Sequence, residues 1–129
     1  MKKEPRINPT PAELELLHIL WSRGPSTVRE IHEELAKEKD VGYTSALKLL
    51  QIMTTKGLVT RTEDQRAHVY AATQPADKTK QQFAADVLQR VFRGSASQLM
   101  QHVLSGRRGS KKEIEEIRRL LDEYERKLP

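Results

Sequence analysis

The stretch from Gly42 to Tyr70, GYTSALKLLQIMTTKGLVTRTEDQRAHVY, constrains the fold more than any other part of the chain. In its first half, Ala46, Leu49, Leu50 and Met53 recur at helical spacing, which predicts a helix from about Thr44 to Lys56. Lys56-Gly57 closes that helix, because glycine accepts the left-handed backbone that ends many helices. Leu58 to Thr62 and Ala67 to Ala71 then alternate with the period of strands, joined by Glu63-Asp64-Gln65-Arg66. The stretch therefore reads as a helix followed at once by a charged β-hairpin.

Two further helices precede it. Thr10-Pro11-Ala12-Glu13 is a capping box with proline in the first turn. Leu14, Leu17, Leu20 and Trp21 follow as the inner side, and Gly24-Pro25 ends the helix. Thr27-x-x-Glu30 is a second capping box, with Val28, Ile31 and Leu35 as the inner stripe. Three helices and a hairpin in this order are the parts of a winged helix-turn-helix, whose third helix enters the major groove of DNA while the wing touches the flank. The fold class expected is mainly α with a small β-hairpin wing.

Residues 1–9 are polar and read as a frayed arm, which places the first domain at 7–74 and a second at 75–129. In the second, Phe83, Val87, Leu88, Val91 and Phe92 line a helix from about Lys78 to Phe92. Leu99, Met100, Val103 and Leu104 line a shorter one. Ser110-x-x-Glu113 caps a last helix carrying Ile114, Ile117, Leu120, Leu121, Tyr124 and Leu128. About 50 residues with no sheet bury too little surface to stand alone, so these stripes are expected to meet a second copy of the chain. The seam is expected at Phe83, Val87, Val91, Leu99, Val103, Ile114, Ile117, Leu121 and Tyr124.

The net charge of +5 suits a polyanionic partner, but its distribution is uneven. Residues 1–75 carry 11 Lys and Arg against 10 Asp and Glu, a balance of +1, whereas residues 76–129 carry 12 against 8, a balance of +4. A DNA-binding first half therefore needs a basic face and an acidic back, expected on the Glu30, Glu33, Glu34 and Glu38 side of the second helix. The absence of cysteine excludes disulfides, thiolate metal sites and cysteine nucleophiles. His18, His32, His68 and His102 form no metal-binding pair, and no phosphate loop or nucleophile motif occurs. No enzyme, metal or cofactor is expected. The start lacks a signal peptide and no segment is apolar enough to span a membrane, so the expected compartment is the cytoplasm.

Opposite the apolar side of the third helix lie Thr44, Lys48, Gln51 and Thr55, flanked by Leu47 and Ile52. Gln51 matches the paired donor and acceptor of adenine, and Lys48 suits a guanine edge or a phosphate. Thr44 or Leu47 suits a thymine methyl, and Tyr43 and Ser45 stand where hydroxyls and backbone N–H groups meet phosphates. On the hairpin, Arg61, Arg66 and His68 suit backbone or minor-groove contact, with Asp64 working against them. Lys56 reads either as a phosphate contact or as a charge favouring the helix C-terminus. His18 reads as a partly buried packing residue, and the RRGSKK cluster at Arg107–Lys112 as a solvated loop, with a second nucleic-acid contact as the alternative. The competing reading of the whole is a winged helix that binds protein and lacks sequence-specific DNA affinity.

The runs TPAELELLHILWSRGPSTVREIHEELAKEKD, TSALKLLQIMTTKGLV and FRGSASQLMQHVLSG, with the tail SKKEIEEIRRLLDEYE, resemble the BlaI/MecI/CopY group of bacterial repressors, the penicillinase repressors. The resemblance spans about Ile7 to Lys127. It implies a homodimer with N-terminal winged helices and a C-terminal helical dimerisation domain, sitting on a dyad operator and repressing resistance or stress genes. It also implies release, in several members, through a partner signalling protease and cleavage in the C-terminal domain. The Asn-Phe bond cut in those members lines up with Gln101-His102 here, so the scissile pair is absent. The cysteine pattern of the copper-responsive members is absent too. Where the family often has Trp, Lys and Arg around the third helix, this chain has Val41, Thr44 and Ile52.

Overall fold

The computed structural model describes residues 8–106 and 108–129. The expected N-terminal arm, apart from Asn8 and Pro9, and Arg107 of the basic loop lie outside the described residues. Pro9, expected in a frayed arm, is buried. The elements are α1 (Pro11–Arg23), β1 (Ser26–Thr27), α2 (Val28–Ala36), α3 (Tyr43–Lys56), β2 (Val59–Asp64), β3 (Ala67–Ala72), α4 (Ala76–Arg90), α5 (Ala96–Ser105) and α6 (Lys111–Arg126). The chain divides into two compact units, Met1–Ala85 and Asp86–Pro129, with the division inside α4.

Both expected capping boxes form. Thr10 Oγ1 accepts the Glu13 backbone N–H at 3.2 Å, and Glu13 accepts from Thr10 N at 2.8 Å. Thr27 and Glu30 repeat the exchange at 3.2 and 2.9 Å. Each pairing satisfies two helix-end donors that the helix itself cannot. α3 ends at Gly57, whose φ of +80° and ψ of 14° are left-handed, as its position demands. Gly24 differs from the expected left-handed cap. Its φ of +91° and ψ of −170° lie in a region open essentially to glycine alone.

The three strands form an antiparallel sheet in the order β1-β3-β2, with Ser26 opposite Tyr70 and Arg61 opposite Tyr70 on the other side. β1 was not expected, since a two-residue strand has no period to read. The hairpin turn is tighter than the sequence suggested. β2 runs on to Asp64, and only Gln65 and Arg66 connect the strands. Both have positive φ, 48° and 69°, the backbone that matches strand twist across a two-residue turn.

The core of the first unit joins Leu16, Leu17 and Leu20 of α1, Val28, Ile31 and Leu35 of α2, Leu50 and Met53 of α3, Val59 of β2 and Tyr70 of β3. Within α1 the inner side is rotated from the expectation. Glu13, Leu16, Leu17 and Leu20 are buried, while Leu14 and Trp21 are half-buried. Trp21 finds its polar partner at the Gln74 carbonyl, 3.0 Å from its indole N–H.

Glu13 is only 1% exposed yet charged. The Lys56 ammonium donates to both its carboxylate oxygens, at 3.0 and 2.9 Å. Burial works against ionisation of this carboxyl, but the Thr10 backbone N–H and the Lys56 ammonium outweigh it and hold it below the ordinary carboxylate range. Lys56 is therefore committed to a clamp between the start of α1 and the end of α3. The phosphate contact considered for it would require breaking that clamp.

A carboxyl that binds protons more readily in the unfolded chain stabilises the fold above its unfolded value and loses that contribution as pH falls through the lower folded value. The expected outcome is a stability that declines on acidification below about pH 4.5, the ordinary value for Glu. Lys56→Met is expected to cost about 1–3 kcal/mol, because the buried carboxylate keeps only its capping bond. Urea titrations of both proteins from pH 7 to the acid range check this.

Candidate nucleic-acid interface

The α2–α3 pair is held as a rigid corner. Ala46, Leu50 and Met53 are buried, and Leu47 and Leu49 pack half-buried against the same cluster. Between the helices, the His32 ring nitrogen Nε2 lies 2.7 Å from the Val41 carbonyl, and the His32 ring meets Tyr43 edge-on. With α3's inner side fixed, its other side faces outward. Tyr43, Thr44, Ser45, Lys48, Gln51, Ile52 and Thr55 are all exposed. The structure thus brings the expected α3 residues onto one surface, with Leu47 at its inner margin.

The chemistry of that surface is graded along the helix. At the N-terminal end, Gly42 supplies no side-chain cap, in contrast to Thr10, Thr27, Ser95 and Ser110 on α1, α2, α5 and α6. The first-turn N–H groups there point outward with the positive end of the helix dipole, beside the Tyr43 and Ser45 hydroxyls. In the middle, Lys48 and Gln51 make no side-chain hydrogen bond or ion pair among the described residues. Farther along, the Thr55 hydroxyl donates to the Gln51 carbonyl at 3.2 Å. Its proton is already used, so Thr55 offers an acceptor and a methyl group rather than a donor.

The wing is electrically mixed. Arg61 and Arg66 are exposed, with Arg66 at the hairpin tip. His68 is exposed as well, but it stands across the strands from Glu63, whose carboxylate is 3.3 Å from its Nε2. Asp64 adds a further negative charge beside the turn. Of the three wing candidates, Arg61 and Arg66 are the ones whose charge is not answered within the hairpin.

The acidic back expected on α2 is largely neutralised. Arg23 bridges Glu30 at 2.8 Å and Glu34 at 3.5 Å, Lys37 meets Glu34 at 2.9 Å, and Arg29 lies 3.8 Å from Glu33. The Thr27 backbone N–H, with Arg23 helping, keeps the Glu30 carboxyl below its ordinary range, and Lys37 does the same for Glu34. Sequence reading missed this network because Arg23 reaches it from α1. His18 is exposed rather than partly buried, its ring edge-on to Trp21. Among the described residues there is no cluster of acidic or imidazole groups able to hold a metal, and no helix long and apolar enough to cross a membrane.

A profile of the penicillinase repressor family matches residues 9–123. The chain belongs to that family. It is similar to the transcriptional regulator BlaI of Mycobacterium tuberculosis, 35% identical over 115 residues that cover 88% of this chain and 82% of the relative. It is also similar to the penicillinase repressor of Staphylococcus aureus, 24% identical over 116 residues, 90% of this chain and 92% of that one. Among solved structures, the DNA-binding domain of the repressor BlaI is 26% identical and covers 59% of this chain and 90% of its own length, at a TM-score of 0.49. These relatives of the penicillinase repressor family are transcriptional regulators and repressors, not enzymes.

Along α4, α5 and α6 the expected seam residues are poorly covered. No described residue from 76 to 129 is buried. Phe83, Val87, Leu99 and Ile117 are half-buried, and Val103, Ile114, Leu121 and Tyr124 are exposed, as is Val91 at 66%. A cavity of about 330 Å³ opens between α5 and α6, lined by Leu104, Gly109, Glu113, Ile114 and Ile117. In this penicillinase-repressor chain, these exposed apolar side chains are the kind of surface that marks an association site when they adjoin one another.

The left-handed backbone at Gln65 yields a test of the wing. Asparagine accepts this conformation more readily than glutamine, so Gln65→Asn is expected to raise stability by about 0.5–1 kcal/mol. Thermal melts of the two proteins measure it, and an unchanged or lower midpoint would mean that the turn carries no such strain.

Proposed function

We propose that the chain is a transcriptional repressor that binds a dyad operator in double-stranded DNA as a homodimer, controlling resistance or stress genes. The observation that carries this reading is the outward face of α3. An amide, an ammonium, hydroxyls and methyls are presented together on a helix whose opposite side is locked in the core. That is the equipment for reading base edges in a major groove. Gln51 and Lys48 would contact bases, with Thr44, Thr55 and Leu47 offering methyl groups. Tyr43, Ser45 and the uncapped helix start would contact phosphates, and Arg61, Arg66 and His68 the flanking backbone. Family membership supports the same conclusion.

The homodimer is supported by the uncovered apolar side chains of α4, α5 and α6. Ile114, Ile117, Leu121 and Tyr124 recur at three- and four-residue steps along α6, a spacing that suits pairing with another helix, while Leu128, expected on the same helix, lies beyond its end at Arg126. Phe83, Val87, Val91, Leu99 and Val103 would extend the seam. A signalling protease, as the family resemblance implies, would meet Gln101 and His102 exposed within α5, where the helix must open before an extended chain can enter an active site.

Gln51→Ala is expected to weaken binding to a selected operator by about 1–3 kcal/mol and to leave random-sequence DNA almost unaffected. Mobility-shift titrations on both DNAs check it. Equal losses would remove Gln51 from base reading, and no salt-dependent affinity for any duplex would favour the protein-binding alternative. Deleting residues from Ser110 onward is expected to turn dimer into monomer in sedimentation velocity and to weaken operator binding with it. An unchanged dimer would contradict the proposed seam.

A further inference from the structure

Within the first unit, every large apolar side chain among the described residues is at least half-buried except two, Tyr43 and Ile52. Tyr43 is accounted for by its edge-on contact with His32. Ile52 is not. It is 42% exposed, and it is absent from the half-buried residues that pack against the core, which include its α3 neighbours Leu47 and Leu49.

The helical register places it where it can act. Taking the direction opposite Ala46, Leu50 and Met53 as the centre of α3's outer face, Thr55 and Lys48 lie close to that centre. Gln51 and Ile52 flank it at about 50° on either side, whereas Leu47 is about 90° away. Ile52 is thus as well placed as Gln51 to reach a groove. Leu47, one of the two residues expected to meet a thymine methyl, is half-buried and lies farther to the side.

We infer that Ile52 is a specificity-determining residue that reads the 5-methyl group of a thymine in each half-site, next to the base pair contacted by Lys48 or Gln51. An aliphatic branch with no donor or acceptor cannot hold a phosphate or a polar base edge. In the major groove, thymine alone offers an apolar patch for it to cover. The surrounding polar groups confine the preference: a cytosine at that position would set its amino group and bare ring edge against the sec-butyl chain. This inference rests on the reading of α3 as the DNA-binding helix and adds to it the identity of a base.

The test begins with duplexes selected from a random-sequence library by the full-length wild-type protein. Each thymine in the enriched site is then replaced, one pair of symmetry-related positions at a time, by deoxyuridine, which removes only the methyl. At one pair of positions the wild-type protein is expected to bind about fourfold more weakly per half-site, the equivalent of about 0.8 kcal/mol for one buried methyl-sized group. At that pair Ile52→Ala is expected to bind thymine and uracil duplexes equally. Ile52→Val, which retains a branched apolar end, is expected to keep part of the discrimination. Melting temperature and random-DNA affinity serve as controls for folding and for phosphate contact, and neither is expected to move. If no thymine-to-uracil change is felt, or if Ile52→Ala leaves the discrimination intact, the thymine contact is overturned while the repressor reading stands. A library that yields no enriched sequence overturns the repressor reading and this inference together.

Discussion

The structure depends on the immobilisation of one side of α3. Leu50 and Met53 are fully buried against α1, α2 and the hairpin, and Ala46 sits in the same interface with almost no exposure. Close-packed side chains of this kind resist rotation of the helix about its axis, since any turn would open voids and expose methyl groups. The Glu13–Lys56 clamp adds a directional restraint at the far end, where apolar packing alone would allow the helix to slide. A helix so held presents its remaining side chains in one fixed pattern, which recognition of a rigid duplex requires.

The two units make opposite uses of apolar surface. The first closes its core within 85 residues, and among its described large apolar groups only Ile52 and Tyr43 are exposed. The second has short amphipathic helices and no layer to cover them, so its apolar side chains remain in reach of water. One unit is finished as a monomer and displays polar chemistry. The other leaves its apolar side chains uncovered, and the proposed dimer would cover them. Under the proposed function, the two joined in one chain would supply a reading surface and a way to double it.

Much of this was legible in the residue order because it is local. The capping boxes at Thr10–Glu13 and Thr27–Glu30, the stop at Gly57 and the inner stripe of α3 each need only a few neighbouring residues to be recognised. What was missed depends on distant partners. Glu13 reads as a cap, and nothing nearby reveals that Lys56, 43 positions later, shares its carboxylate. The acidic run on α2 reads as a charged face until Arg23 of α1 is placed beside it. The outward swing of Ile52 was ambiguous because an apolar residue on a helix flank can be either core or contact. Only the position of the core resolves it. β1 escaped because two residues carry no pattern, and the hairpin's tight turn because Gln65 and Arg66 lack the glycine that usually announces positive φ.

The central claim is that the outer face of α3 meets base edges. The most direct measurement is a solution NMR titration of the full-length protein with a selected duplex, following side-chain and backbone resonances along the helix. The account predicts that the Gln51 side-chain amide, the Ile52 methyls and the amides from Thr44 to Thr55 shift together on the selected duplex and return toward their free positions as salt is raised, while α2 outside the turn stays unchanged. Shifts confined to other surfaces, with Gln51 and Ile52 unmoved at saturating DNA, would contradict it.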